Sequence, residues 1–349
     1  MFSFGKFLRK VFSILVFIAS VLIIVLAKVS PSVHWIFGLL GFLVPAVLIY
    51  NGGLVLFYLL FKKKGMLLPL IVLVVGISHF TATFGSIDFL KSEKTSDPDS
   101  LKLSVLSHNL GSFSFNSRKN QSKYSSLIDL KKYDVICFQE FLKSDRDSTI
   151  QRFLKNAGLQ NYYYHFIGTK MVPQDLGLLT LSKYPIVFSG EIPFQKNSYN
   201  RVSFVDIKAG EDTVRVYNIH LKSYDLRSSY SSRYSLYRIK RAIIERSWRI
   251  DPVLKSIEDS KKPVILAGDF NSHPYGYVYR RFAEELSDTF TAKLHLPAST
   301  FVHFPIRIDY IFTNDMFSTT SFKIKYNCIV SDHFPVTSIV SLNKKHELR

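Results

Sequence analysis

Val264-Ile265-Leu266-Ala267-Gly268-Asp269-Phe270-Asn271 is an apolar run that halts at glycine and then presents a carboxylate and a carboxamide two residues apart. A short apolar run bounded by glycine reads as a buried strand, and alternate residues at its end share a face, so Asp269 and Asn271 can reach one ligand. The pattern recurs along the chain. Asp134-Val-Ile-Cys-Phe-Gln139-Glu140 ends a second strand on a carboxylate, and Ser104-Val-Leu-Ser-His-Asn109 ends a third on an amide. Tyr217-Asn218-Ile219-His220 offers an amide and an imidazole, and Arg307-Ile308-Asp309-Tyr310 and Ser331-Asp332-His333-Phe334-Pro335 follow near the C-terminus. Polar groups at six strand ends point to one composite site rather than to six separate turns.

Outward from these ends, Leu103–Leu110, Val135–Phe138, Leu178–Leu181, Val202–Ile207, Val214–Leu221, Val264–Ala267, Tyr310–Phe312 and Val336–Leu342 read as strands. Lys123–Lys131, Ser148–Ala157, Ser235–Ile257 and Tyr277–Leu286 read as helices. The result is a mixed α/β domain over residues 101–349. Cys137 and Cys328 sit inside apolar runs and read as buried thiols; no Cys/His zinc pattern and no internal repeat is present.

The first 90 residues have a different texture. Three uncharged runs allow spans at about 11–28, 35–60 and 66–87, each close to the ~20 apolar residues a bilayer crossing needs. Residues 1–90 therefore read as a membrane anchor of three helices, and the polar, proline-containing stretch 91–100 as a linker. Lys6, Arg9 and Lys10 precede the first span and Lys62, Lys63 and Lys64 separate the second from the third, whereas Lys28 alone marks the first turn. The positive-inside rule then puts the N-terminus in the cytoplasm and the α/β domain outside, in the periplasm for a protein of a bacterial inner membrane. Val25-Leu26-Ala27 also loosely fits a signal-peptide cleavage site, which would leave that sidedness unchanged.

The whole chain carries +18 and a mean hydropathy of +0.11, with 47% apolar residues, which excludes disordered, collagenous and disulfide-scaffold classes. Setting aside residues 1–96, 36 Lys/Arg against 25 Asp/Glu leave the remainder at +11. That sign favours polyanionic partners: nucleic acid, anionic lipid or phosphorylated sugars. Hard oxygen ligands without thiolates, plus two histidines, suit Mg2+ or Mn2+. Such an ion neutralises phosphate oxygens while a carboxylate or imidazole positions the attacking water, so the residues read as a phosphoester hydrolase.

The motif set, in this order from about Leu101 to Leu342, resembles the endonuclease/exonuclease/phosphatase superfamily, the deoxyribonuclease-like fold of abasic-site endonucleases, neutral sphingomyelinases and inositol polyphosphate 5-phosphatases. The resemblance implies a four-layered αββα sandwich of two mixed β-sheets with the site at one edge, preceded here by the all-α region. It implies Glu140 as principal metal ligand, Asn109 as a metal or phosphate contact and Asp332 close to the metal. Asp269 would orient water and Asn271 would stabilise the transition state, while His333, held by Asp309, would contact the scissile phosphate. His220 resembles the second histidine of members carrying Asn-x-His-Leu, and Arg201 fills a phosphate-near position. Asn218 reads either as a phosphate contact or as a structural amide.

The substrate is less defined. Lys222–Arg249 interleaves tyrosines with arginines and lysines, which fits a nucleic-acid groove, a surface for anionic lipid, or a basic helix solvated on one face. The expectation is a membrane-anchored, metal-dependent phosphodiesterase or nuclease acting outside the cytoplasm. The alternatives are a phospholipid head-group or phosphosugar phosphatase of the same fold and, disfavoured by the intact acid, amide and imidazole set, a non-catalytic surface-binding module.

Overall fold

A computed structural model of the chain describes residues 4–85, 100–111, 113, 118–144, 148–171, 174–192, 194, 199–225, 229–293, 296 and 298–343. The first long helix is α1 (Phe4–Leu26). A second helical stretch of 24 residues is built from α2 (Phe37–Leu40), a 3-10 turn at Gly41–Leu43, and α3 (Val44–Leu60). At 1.5 Å per residue, the 20 residues Phe7–Leu26 and these 24 each match a hydrocarbon core of about 30 Å. The third expected span is not one helix. It is α4 (Leu67–Val75) and α5 (Ile77–Phe84), bent by 61° at Gly76. A Cβ on Gly76 would stand 2.5 Å from Leu48 Cδ2, so glycine lets the chain turn close against α3. Among the described residues, two helices, or three if the bent pair is one span, are thus long and apolar enough to cross a membrane. The end of the third run, and the linker expected at 91–100 apart from Ser100, lie outside the described residues.

Two six-stranded mixed sheets follow. The first contains β1 (Lys102–Asn109), β2 (Val135–Ser144), β3 (Tyr163–Met171), β4 (Gln174–Ser182), β11 (Phe317–Ile324) and β12 (Val336–Leu342), in the order β11-β12-β1-β2-β4-β3. The second contains β5 (Ile186–Ile192), β6 (Arg201–Ala209), β7 (Asp212–His220), β8 (Val264–Asp269), β9 (Ser287–Asp288) and β10 (Asp309–Thr313), in the order β5-β6-β7-β8-β10-β9. Each sheet has one parallel pair at its centre, β1 with β2 and β7 with β8, and antiparallel neighbours elsewhere. The parallel pairs need crossovers, which α6 (Arg118–Leu127) and α8 (Ser232–Ser260) supply.

Alternation along the strands builds the layers. Leu103, Val105, Val135, Cys137, Val214, Val216, Ile265, Ala267 and Ile311 meet between the sheets. The intervening residues face outward: Leu106, Ile136 and Phe138 pack under α6 and α7 (Ser148–Ala157), and Tyr217, Leu266 and Phe312 under α8 and α9 (Tyr277–Glu285). The architecture is the αββα sandwich, and both cysteines are free and buried in it.

The helical region is docked on the sandwich as well as tethered to it. Tyr275, in the loop before α9, packs into the helical core of Ile24, Ala27, Val44 and Val72. Ala82 of α5 joins the outer core of the second sheet, and its carbonyl accepts a bond from the fully buried Arg307, which is paired with Asp288 at 2.7 Å. Arg280 donates to the Lys28 carbonyl at the end of α1.

Candidate active site

The inward-facing positions are apolar at one end of the sandwich, pass through the buried polar set of Ser107, Gln139 and Asn218, and carry ionisable groups where the strands emerge. Asn109, His220 and Asp269 close β1, β7 and β8, and Asp309 opens the antiparallel β10 opposite Asp269, so one end of the two sheets collects all four. Gly268 makes this possible: at φ 150° it brings β8 so close to β7 that a Cβ would sit 2.0 Å from the Ile219 carbonyl oxygen.

Glu140 arrives by a different route. β2 carries a bulge between Phe138 and Phe141, and Glu140 within it adopts φ 53°, a left-handed conformation unusual for a side chain-bearing residue. The bulge brings its carboxylate within 3.3 Å of Asn109 Nδ2 and 3.6 Å of His220 Nε2. Asn271, at φ 47°, likewise leaves the strand direction, donating through its backbone N–H to Asp269 Oδ1 and through Nδ2 to Asp269 Oδ2, both at 2.8 Å. Asn109 Nδ2 adds a bond of 2.9 Å to the same Oδ2. Asp269 is fully buried, and that burial, reinforced by Asp309, raises its pKa, with His333 and His220 pulling the other way.

His333 also approaches Asp269, Nε2 lying 3.9 Å from Oδ2. Its Nδ1 donates to the Asp309 carboxylate at 3.0 and 3.1 Å. Burial pushes the imidazolium down, but Asp309 and Asp269 outweigh it and lift the group to about 10, so it carries its proton at neutral pH. His108 is the contrasting case: Nε2 donates to the His333 carbonyl, Nδ1 meets the Tyr124 hydroxyl, and burial lowers its pKa to about 3.

Three further candidates of the sequence have these surroundings. Asp332 lies beside Gly111, accepts from Ser331 Oγ and adds its charge to those that raise the His333 pKa. Asn218 is fully buried, accepting from Gln139 Nε2 at 2.8 Å and donating to the carbonyls of Phe138 and Leu179. It bridges the two sheets, so the phosphate-contact reading gives way to the structural amide. Arg201, expected near the phosphate, pairs with His220 in register and donates to Glu191 and Thr169. Two supports were given no role from the sequence, although Ser331 opens the motif that carries His333. Thr300 Oγ1 accepts the backbone N–H groups of Ile308 and Asp309, and Ser331 Oγ donates to the Asn109 carbonyl while accepting from the His333 backbone.

Two donor sets could hold a cation. Asp269, Asp309 and His333 offer ligand atoms within 4.8 Å of one another, but both Asp309 oxygens are engaged by the protonated His333 ring. The Glu140 carboxylate heads the other set, with Asn109 beside it turning Nδ2 to Glu140 while its Oδ1 accepts from the Gly111 N–H. Beside it His220 Nε2 is buried with no hydrogen-bond partner among the described residues and faces two carboxylates at 3.6 Å, a polar space that a hydrated hard cation suits.

An αββα sandwich whose paired sheets deliver carboxylates, amides and two imidazoles to one end defines a deoxyribonuclease-like protein. The model of the Endonuclease/Exonuclease/phosphatase family matches residues 106–333, and the chain belongs to that family, whose members hydrolyse phosphoesters. Residues 5–83 match a separate domain of unknown function (DUF8431). No curated protein shows a significant match. Among solved structures, the chain is similar to an endonuclease/exonuclease/phosphatase from Beutenbergia cavernae, with TM-score 0.54, 17% identity, and coverage of 69% of this chain and 72% of that one. A family protein from Leptotrichia buccalis gives TM-score 0.52 and 18% identity over 68% and 99%. The human Nocturnin catalytic domain with bound sulfate anion gives 0.51 and 18% over 69% and 94%.

Proposed function

We propose that the chain is a membrane-anchored, divalent-metal-dependent phosphodiesterase whose catalytic domain lies outside the cytoplasm. The observation that carries this reading is the convergence on Asp269 Oδ2 of Asn109, Asn271, His220 and His333, with Glu140 beside them. The two amides fix the carboxylate, and its raised pKa suits it to orient a water and take its proton during attack. His333, protonated and held by Asp309, donates Nε2–H to a phosphoryl oxygen, and His220 Nε2 meets the same group from the Glu140 side. Mg2+ or Mn2+ held by Glu140 and Asn109, with Asp332 nearby, would neutralise phosphate oxygens and stabilise the leaving oxyanion. The sidedness is supported by the lysines at 62–64 at the far end of α3, while the sandwich docks at the end of the bundle formed by Ile24, Ala27 and Val44.

The test is hydrolysis of bis-p-nitrophenyl phosphate by the full chain in detergent, with Mg2+ or with chelator. Turnover is expected to depend on metal and to vanish in Asp269→Asn; turnover indifferent to either would overturn the reading. A reporter enzyme active only outside the cytoplasm, fused after Arg349, should be active, and an inactive fusion would reverse the topology.

A second reading, hydrolysis of a phospholipid head group, is favoured by one contact. Phe42, at the junction of the apolar helices, packs edge-on against His273 at 4.2 Å, two residues from Asn271. Supercoiled plasmid and phospholipid vesicles supplied separately as substrates decide between the two.

A further inference from the structure

The first half of α8 presents a face that the proposed chemistry does not use. Arg233, Tyr237, Lys240, Ile244 and Trp248 recur at three- and four-residue intervals and share one side of the helix, flanked by Tyr234 and Arg241. Ile244 is half-buried; the others are exposed, Tyr237 by 55% and Trp248 by 64%. The opposite side, with Ala242, Arg246, Arg249 and Ile250, is buried against the domain. Between Arg233 and Trp248 the one acid is Glu245, which is largely buried and paired with Lys222, Arg241 and Arg249. Asp251, paired with Arg281, ends the stripe. The face is therefore cationic and aromatic with no exposed acid along about 24 Å of helix.

Its position identifies a partner. Ile243, on the adjoining side of α8, packs so closely on α2 that a Cβ at Gly38 would fall 2.5 Å from its Cγ2. Tyr224, before α8, approaches Phe42 at 6.4 Å. The stripe thus continues from the end of the apolar helices that abuts the sandwich. We infer that this face of α8 lies on the bilayer surface and binds anionic phospholipid, with Trp248 and Tyr237 at head-group depth and Arg233, Lys240 and Arg241 against lipid phosphates. Aromatic rings with one polar edge settle at the membrane–water boundary, and clustered Lys and Arg are drawn to an anionic leaflet by a field that salt screens over ~10 Å at 0.1 M. The inference rests on the helices crossing the membrane.

Trp35 and Trp248 are the chain's two tryptophans, so Trp35→Phe leaves Trp248 as the reporter. The full chain would be reconstituted in phosphatidylcholine vesicles with and without 30% phosphatidylglycerol, and with nitroxide-headgroup lipid as quencher. Blue-shifted, quenched Trp248 emission is expected in the anionic vesicles, reduced at least twofold by Lys240→Glu with Arg241→Glu and by high salt. Water-like, unquenched emission in chain that floats with the vesicles after an alkaline wash would overturn the inference alone. Chain that fails to float would overturn the spanning reading and this one with it. Quenching by an added oligonucleotide in place of the lipid would assign the face to nucleic acid and overturn it as well. If Trp35→Phe does not fold, the difference between the unmodified chain and Trp248→Phe supplies the same signal.

Discussion

The helical region and the sandwich bury surface in opposite ways. In the sandwich, apolar side chains point inward from both sheets and the largest of them, such as Phe138, Phe270 and Phe312, are fully covered. In the helical region they point outward: Phe4 is 73% and Phe12 65% exposed, and Leu8, Leu15, Ile18 and Leu22 continue the stripe. Covering that stripe takes an apolar medium, whereas the sandwich supplies its own. The seam between them adds polar contacts to apolar ones such as Tyr275 and Ala82. It is held by Arg307 between Asp288 and the Ala82 carbonyl, by Arg280 on the Lys28 carbonyl and by His273 against Gly41. An apolar helical bundle and the sandwich are thereby coupled through side chains, one of which, His273, stands two residues from Asn271.

If the chemistry belongs to the sandwich alone, Asp269→Asn should lower kcat by about 10²- to 10⁴-fold with unchanged thermal unfolding. A variant that keeps more than a tenth of wild-type turnover would take the base out of this site.

The next largest effect tests the seam. Arg307→Met removes the partner of a buried carboxylate, and breaking such a pair costs about 3–5 kcal/mol. Asp288→Asn combined with Arg307→Met should recover part of the loss. The measurement is urea unfolding of the full chain in detergent, and equal destabilisation by the single and double variants would show that the charge is not what holds the seam.

How much of this was legible in the sequence follows from where each residue faces. The eight strands read from it are the interior ones, and the four it missed, β3, β5, β9 and β11, are the four sheet edges. Edge strands have a partner on one side only, so segments such as Ile186–Ile192 and Phe317–Ile324 mix exposed and buried positions and lose the apolar run that marks a central strand. The site was legible because strand ends carry its groups in short motifs. Glu140 was legible as a residue but not as a geometry, since the β2 bulge that aims it leaves no mark in the pattern around it. Asn218 and Arg201 show the converse: both are polar and adjacent in register to the site, and the sequence does not tell that one faces the inter-sheet core while the other donates to Glu191. The seam was illegible altogether, because no local pattern announces that Tyr275 enters a helical core more than 190 residues earlier in the chain.

A smaller effect asks whether the seam reaches the chemistry. A Cβ on Gly41 would lie 2.3 Å from His273 Cε1 and 3.1 Å from the Tyr275 carbonyl oxygen. Gly41→Ala must therefore move the loop that follows Asn271, at a cost of about 1–3 kcal/mol. We expect kcat to fall roughly tenfold with KM little changed, by the conversion of about 1.4 kcal/mol to each factor of ten. His273→Ala in the same chain should restore it by opening the space. Activity unaffected by Gly41→Ala would make the helices a tether and nothing more.

The smallest expected effect separates the seam from the site by pH. His333 and His273 are both buried histidines, but their surroundings push them in opposite directions. Asp309 and Asp269 keep His333 protonated, whereas burial, with Arg246 adding to it, lowers His273 to about 3. A histidine that is neutral in the folded chain and titrates near 6.5 when unfolded binds fewer protons folded than unfolded between those values. Its contribution to stability is complete above about pH 6.5 and declines as pH falls toward 3. The seam should therefore loosen in mild acid, with thermal unfolding of the full chain shifting down between pH 6.5 and 5 more than that of His273→Phe, which has no proton to take up. Equal shifts for the two chains would mean that His273 reaches water in the folded protein, and that the contact with Gly41 and Phe42 opens before the sandwich does.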